Sequence, residues 1–261
     1  MHSVNPSGIR AVFLDVDGTL FSHRISDIPP AALEGLKQLH RRGILVFLAT
    51  GRHRLALSRL NLHGFPFDGY VTLTGHLCYD RDWQPLLRVP LPPEDTRVLT
   101  EAFRSRRMPV RLIEENREYM NYTDSLASSL ISGASSRAPE TADYRGDPLY
   151  SAAVYCSPEE AASLARELPE CRLSSWHPNG FDIVSSGKPQ GIRFLIGRFG
   201  IRREEIAVFG DADNDVEMIS YGGIGVAMGN GTPAAKAAAD YVTAPIDEDG
   251  LFSAFRHLHL L

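Results

Sequence analysis

Two carboxylates stand two residues apart, Asp15 and Asp17, at the end of the apolar run in AVFLDVDGTLFS (residues 11–22), where such a charge pair must be used or neutralised. Other polar groups follow other apolar runs. Thr50, Gly51 and Arg52 come after 44–49, Lys188 precedes a helical stretch, and GDADND at 210–215 follows 206–209. In open parallel sheets ligands gather beyond the carboxyl ends of the strands, so these four loops are expected to converge on one edge. Taken singly, each acidic pair reads as a helix cap or an Asx turn, and Lys188 as a solvated surface lysine. Taken together, three carboxylates at one edge repel strongly unless a cation sits among them. All-oxygen ligands of this kind suit magnesium, which keeps waters and completes its shell with a substrate phosphate. A phosphate dianion would also use the Thr50 hydroxyl, the Lys188 ammonium and the backbone N–H groups of the tight turn at 15–18. Pro189 is expected at the first helical position, which leaves the Lys188 ammonium at the helix mouth. Residues two apart at an extended strand end project to one side, so Asp15 and Asp17 can flank one phosphoryl group.

The elements that must hold these groups alternate strand and helix at both ends of the chain. After the strand at 11–14, Pro29 opens an amphipathic stretch with Leu33, Leu36 and Leu39 at helical spacing, closed by Gly43; 44–49 and 69–73 are further buried strands. The C-terminal third predicts helices over 190–199, 213–220, 233–238 and 248–258, with strands over 206–209, 224–228 and 241–243. Continuous apolar strands separated by helices argue for an α/β fold with a parallel sheet and helices on both faces. From about Trp83 to about Asp182 the text turns richer in Pro, Arg, Glu and Ser, with strand candidates at 110–113, 118–122, 149–155 and 172–176. That stretch reads as an inserted α/β domain, 83–183, between core segments 1–82 and 184–261, with linkers near 80–85 and 184–187. Glu114 and Glu115 read as a solvated hairpin end.

Composition narrows the class. The 261 residues are 43% hydrophobic and 23% charged, ordinary values for a soluble globular chain. Lys and Arg total 27 against 32 acids, a net charge of −5 without a like-charge block, which argues against nucleic acid or a membrane surface as partner. The start MHSVNPSGIR has no basic segment leading into an apolar core, and no apolar run reaches spanning length. Cys78, Cys156 and Cys171 are spaced too widely for a disulfide framework or a zinc motif; they read as small core residues, with a Cys156–Cys171 pair as the alternative. A cytoplasmic protein is expected.

DVDGTL, ATGR, GKPQGI and GDADND, in that order and with the inserted domain between the second and third, resemble the haloacid dehalogenase superfamily of phosphohydrolases. The similarity is to its Cof-type branch and covers nearly the whole chain, including GVAMGNGTPAAKAAADYVTAPIDEDG at 225–250. The resemblance implies a Rossmann-like core with an inserted α/β cap of class IIB, Mg2+ as cofactor, and a small phosphorylated metabolite, a sugar phosphate foremost, as substrate. It implies Asp15 as nucleophile and Asp17 as general acid and base. Thr50, Gly51, Lys188 and Asn214 would bind the phosphate. Asp15, the backbone carbonyl of Asp17 and Asp211 would hold the metal, with Asn214 and Asp215 orienting Lys188 and the metal waters. Gly18 and Thr19 would shape the turn. Asp15 would attack phosphorus in line, and Asp17 would protonate the departing alkoxide, then take a proton from water. The branch usually has Asn-Gly after its third core strand; here the text is Thr74-Gly75-His76, so a substrate contact by that Asn does not carry over.

SSWHPNGFDIVSSGK at 174–188 leads from the inserted domain into the lysine, which makes Trp176, His177, Asn179 and Asp182 candidate substrate contacts. Indole and imidazole beside an amide and a carboxylate suit a hydroxyl-rich ligand. Two rivals stand beside hydrolysis. Eukaryotic-type phosphomannomutases resemble the chain in core motifs and return the phosphoryl group to sugar; a non-catalytic phospholigand-binding protein could use the same scaffold. GDADND looks more like the Cof-type phosphatases.

Overall fold

The computed structural model describes residues 8–133 and 139–261, and the chain forms two units, Met1–Leu87 with Gly187–Leu261, and Arg88–Ser186. Residues 1–7, on which the reading of the N-terminus largely rests, lie outside the described residues. In the first unit, apolar runs without alternation form strands buried on both faces, as parallel strands covered by helices must be. The sheet order is Tyr241–Val242, Ile224–Ala227, Ile206–Gly210, Ala11–Leu14, Leu45–Ala49, Gly69–Thr72, Leu77–Asp80, Pro85–Arg88. The first six run parallel. Leu14 lies opposite both Phe209 and Leu48, so the three central strands finish level and their following loops share one edge.

Helix Lys188–Phe199 covers one face, setting Ile192, Leu195 and Ile196 against Phe13, Phe47 and Val71. Helices Pro30–Arg41 and Gly250–His257 pack on each other, and Phe255 of the latter meets Phe209 edge-on. The expected linker at 80–85 is instead the turn of a β-hairpin. Asp80 Oδ1 accepts from the N–H groups of Asp82 and Gln84 at 2.9 and 2.8 Å, and Pro85 opens an edge strand, where a missing N–H removes no ladder bond. The linker at 184–187 is shorter than expected, because a strand runs to Val184 and a helix begins at Lys188.

The inserted unit has a six-stranded sheet in the order Arg172–His177, Gly180–Val184, Ser151–Tyr155, Val110–Ile113, Glu118–Met120, Glu140–Thr141. Helices Pro93–Arg104 and Pro158–Ala165 bury Leu99, Phe103, Ala161 and Leu164 on one face; Ser125–Gly133 sets Ala127 and Ile131 against Met120, Ala153 and Tyr155 on the other. Glu114 is not solvated: it is buried and accepts from the Tyr119 hydroxyl at 2.5 Å, while Glu115 pairs with Arg88 at the surface. All three cysteines are free and buried, so no Cys156–Cys171 bond forms. Among the described residues no helix is long and apolar enough to cross a membrane.

Candidate active site

Asp15 extends the central ladder by one residue, donating its N–H to Phe209 O at 2.9 Å, and the chain then turns, Val16 O accepting from Leu20 and Phe21 at 3.0 and 2.7 Å. The strand therefore ends before Asp17. This corrects the expectation that both carboxylates project from an extended strand end: Asp15 is buried, whereas Asp17 sits part-exposed on the turn. The N–H groups of Asp15 and Gly18 are already bonded to Phe209 O and Phe21 O. Within the turn at 15–18, those of Val16 and Asp17 are left without an acceptor among the described residues. Gly18 has φ 76°, and a Cβ there would lie 2.3 Å from Asp211 Oδ2, so both backbone and neighbour demand glycine. Thr19 Oγ1 donates to Asp211 Oδ1 at 2.8 Å.

Lys188, not Pro189, is the first residue of its helix. The first N–H groups of a helix have no intrahelical acceptor, so proline is tolerated at the second position as well. Gly191 lets this helix lie close on the Gly69–Thr72 strand, since a Cβ there would come within 2.5 Å of Val71. That seat buries Lys188 completely, and its Nζ donates to Asp15 Oδ1 and Asp215 Oδ1, both at 2.5 Å. Burial alone would lower the pKa of such an ammonium; the two carboxylates outweigh it and raise the pKa above the ordinary lysine value. A solvated surface lysine is excluded. Asp215 Oδ2 accepts from the N–H groups of Asp211 and Ala212 at 2.9 and 3.0 Å, which fixes that carboxylate at both oxygens. Asn214 is exposed and its amide makes no hydrogen bond among the described residues, so of the expected pair only Asp215 bonds Lys188, with Asp15 as the other partner.

Asp15, Asp211 and Asp215 each offer a carboxylate oxygen within 4.8 Å of the others. Burial first, then Asp215, push the Asp15 carboxyl well above its ordinary pKa against the opposing pull of Lys188; burial and Asp215 push Asp211 up to about 6. Crowded, partly desolvated carboxylates with all-oxygen donors are what a small divalent cation offsets, so these residues fit magnesium. A carboxyl that holds its proton more tightly folded than unfolded adds stability at acid pH and loses it as pH rises through the folded pKa. For Asp211 that window runs from 3.8 to about 6. In chelator, this contribution to stability should fall across the window, and magnesium should raise the melting temperature more at about pH 7.5 than at about pH 4.5. Thermal melts at both pH values, with chelator or magnesium, measure this; equal magnesium shifts at the two would remove the metal assignment.

Asp17 is gripped by the Arg52 fork, with Nε 2.6 Å from Oδ2 and Nη2 2.7 Å from Oδ1, and His23 Nε2 lies 2.7 Å from Oδ1. Burial works to raise its pKa, but Arg52 and then His23 prevail and hold it below the ordinary value, so Asp17 is a carboxylate here. Thr50 is buried, and its Oγ1 accepts from Arg52 N–H at 3.1 Å, which leaves its O–H to donate.

In the inserted unit, Trp176 and His177 close one strand of a hairpin, Asn179 lies in its turn and Asp182 in the facing strand. Trp176 is 42% exposed, and its indole hydrogen-bonds Asp182. Asp182 is pushed up to about 6 by burial, with Arg111 and Trp176 opposing. Asn179 N–H donates to His177 Nδ1 at 3.1 Å, a bond that ties His177 to its own turn.

The carboxyl edge of the parallel strands, which holds a buried lysine between two carboxylates with a third in reach, is suited to phosphoryl transfer. Residues 12–255 match the haloacid dehalogenase-like hydrolases, and the chain belongs to that family as a phosphatase of its type. Among relatives, YkrA of Bacillus subtilis (strain 168) is 33% identical over 263 residues, covering 97% of this chain and 98% of its own. YitU of the same organism, a 5-amino-6-(5-phospho-D-ribitylamino)uracil phosphatase, is 26% identical over 259 residues, covering 92% and 94%. Two solved structures align along almost their full length. BT1666 from Bacteroides thetaiotaomicron, described among the phosphatases of the superfamily, gives a TM-score of 0.89 at 27% identity over 98% of this chain and 97% of that one. The subclass IIB sugar phosphatase BT4131 gives 0.86 at 30% identity over 97% and 100%.

Sequence reasoning missed several supports. Arg52 was visible in its loop, but nothing local ties it to Asp17, 35 positions away. Asn230 donates to Gly18 O and accepts from Ile246 N–H, both at 2.8 Å, and Thr232 N–H donates to Asp211 O at 2.7 Å. Both follow the Ile224–Ala227 strand, so their signal in the sequence is the one the other loops share, polar residues just beyond the carboxyl end of a core strand.

Proposed function

We propose that this chain is a magnesium-dependent phosphomonoesterase that hydrolyses a small phosphorylated metabolite, foremost a sugar phosphate, through an aspartyl phosphate on Asp15. The observation that carries the reading is Lys188, wholly buried and bonded to both Asp15 and Asp215 beside Asp211. An ammonium fixed against a nucleophile candidate is placed to offset charge on the equatorial oxygens of a transferring phosphoryl group.

Asp15 attacks phosphorus in line and the ester P–O bond breaks; because Arg52 and His23 hold Asp17 ionised in the free chain, Asp17 first takes the proton of a monoanionic phosphate ester and then passes it to the departing oxygen. Water then attacks phosphorus, its proton passes to Asp17, and the aspartyl P–O bond breaks to release orthophosphate. The Arg52 fork favours the ionised Asp17 that this second step requires. The Thr50 hydroxyl and the N–H groups of Val16 and Asp17 bind phosphoryl oxygens. A divalent cation held by Asp15, Asp211 and the Asp17 carbonyl, with Asp215 behind them, would supply Lewis-acid charge to those oxygens. The exposed indole of Trp176 beside Asp182, with His177 and Asn179, offers the mixture of apolar face and hydrogen-bonding groups that a hydroxyl-rich alcohol takes.

The test is orthophosphate release from a panel of phosphorylated metabolites, ranked by kcat/KM. Magnesium should be required, and calcium should inhibit because its larger, looser shell misplaces Asp15. Full turnover in chelator would overturn the metal assignment. Transfer to a second sugar without orthophosphate release would make the protein a mutase.

A further inference from the structure

The turn after the Gly69–Thr72 strand holds three successive residues at positive φ: Leu73 at 48°, Thr74 at 54° and Gly75 at 98°. Glycine adopts this region at no steric cost, but a β-branched threonine does so only under strain. The neighbours enforce it. Leu73 N–H donates to Arg52 O at 3.2 Å and Thr74 N–H to Thr50 O at 3.1 Å, and the helix that carries Lys188 packs on the turn. Thr74 is 7% exposed, yet its hydroxyl makes no hydrogen bond among the described residues. It borders the space over Gly51: a Cβ built on Gly51 would lie 3.5 Å from Thr74 Oγ1 and 3.8 Å from Asn214 Nδ2. The missing side chain of Gly51 thus leaves a niche lined by an uncommitted hydroxyl and an uncommitted amide, next to the Thr50 hydroxyl.

We propose that Thr74 contacts substrate, its hydroxyl donating to the transferred phosphoryl group, and that the strained turn is kept because it holds that hydroxyl over Gly51. This rests on the phosphatase reading above. A strained backbone with an unpaired, nearly buried donor beside a phosphate loop has no evident packing purpose, since Gly or Asn would fit the same turn without strain.

Three variants separate hydroxyl from backbone. T74V keeps the branched shape and loses the donor, T74S keeps the donor, and T74G removes both donor and strain. The readouts, all in magnesium, are kcat/KM on p-nitrophenyl phosphate and on the best metabolite, inhibition by orthophosphate, and the melting temperature. T74V should lose roughly tenfold or more on both esters, weaken orthophosphate inhibition by a similar factor, and melt with the wild type. T74S should stay within about threefold of wild type. T74G should lose activity as T74V does while melting about 2–4 °C higher. Wild-type kinetics in T74V would overturn the proposal, as would a loss confined to the metabolite with orthophosphate inhibition unchanged. If the wild type hydrolyses no ester but orthophosphate still raises its melting temperature, and T74V abolishes that rise, the hydrolase reading fails and the Thr74 contact stands.

Discussion

Asp15→Asn is expected to lower kcat by roughly 10,000-fold or more with the fold retained. The amide is nearly isosteric with the carboxyl, and its oxygen can still accept from Lys188, but it has no anionic oxygen with which to attack phosphorus. The stability side of the prediction separates this variant from a generic loss. Asp15 is buried among Asp215, Asp211 and Asp17, and burial with that crowding raises its pKa despite Lys188. A neutral side chain relieves the repulsion, so in chelator at neutral pH the variant should melt no lower than wild type. Acid quench during turnover should trap a phosphorylated wild-type chain and none in the variant. A variant that keeps more than a few per cent of turnover, or one whose lost activity tracks a lowered melting temperature, would sink the nucleophile assignment.

The parts of this site that were legible in the sequence are those in which a polar residue interrupts an apolar run at a strand end. Asp15, Thr50 and Asp211 all meet that description, while Lys188 stands out as the residue that opens a helix, and the parallel core sheet with helices on both faces follows from the alternation of buried runs and amphipathic helices. Less visible were features that depend on how loops meet. The grip of Arg52 on Asp17 joins two loops through their side chains, and neither loop's text encodes the contact. The hairpin Leu77–Asp80 with Pro85–Arg88 was hidden because Asp80, Asp82 and Pro85 are turn and linker residues by composition; an edge strand, bonded on one side, tolerates them. Thr74 was concealed for the opposite reason. Threonine favours extended backbone, and only the bonds from Leu73 N–H to the Arg52 carbonyl and from Thr74 N–H to the Thr50 carbonyl force the left-handed turn.

Lys188→Met should both stop catalysis and unfold the core more readily, and the stability loss is the more telling of the two. Methionine fills a similar volume but leaves Asp15 and Asp215 facing each other with no cation between them. Removing one partner of a buried ion pair typically costs about 3–5 kcal/mol, which for a domain of this size lowers the melting temperature by roughly 6–20 °C. The pH dependence has a definite sign. The Lys188 pKa is raised in the folded state, so its contribution is fully present below the unfolded lysine value of 10.5 and is constant across neutral pH. In the variant, Asp15 loses the one neighbour that opposed its upward shift and can shed its charge by taking a proton as pH falls. The gap between variant and wild type should therefore narrow from about pH 8 to about pH 5. Adding Asp215→Asn to Lys188→Met removes one of the two stranded charges, so the double variant should recover part of the loss, and the cycle yields the coupling energy. Thermal melts of the four proteins in chelator decide it. A Lys188→Met chain that melts within about 2 °C of wild type at about pH 8 would mean that the carboxylates are already protonated in the folded core. Lys188 would then be filling space there, and could not be the fixed positive charge on which the phosphoryl-transfer reading depends.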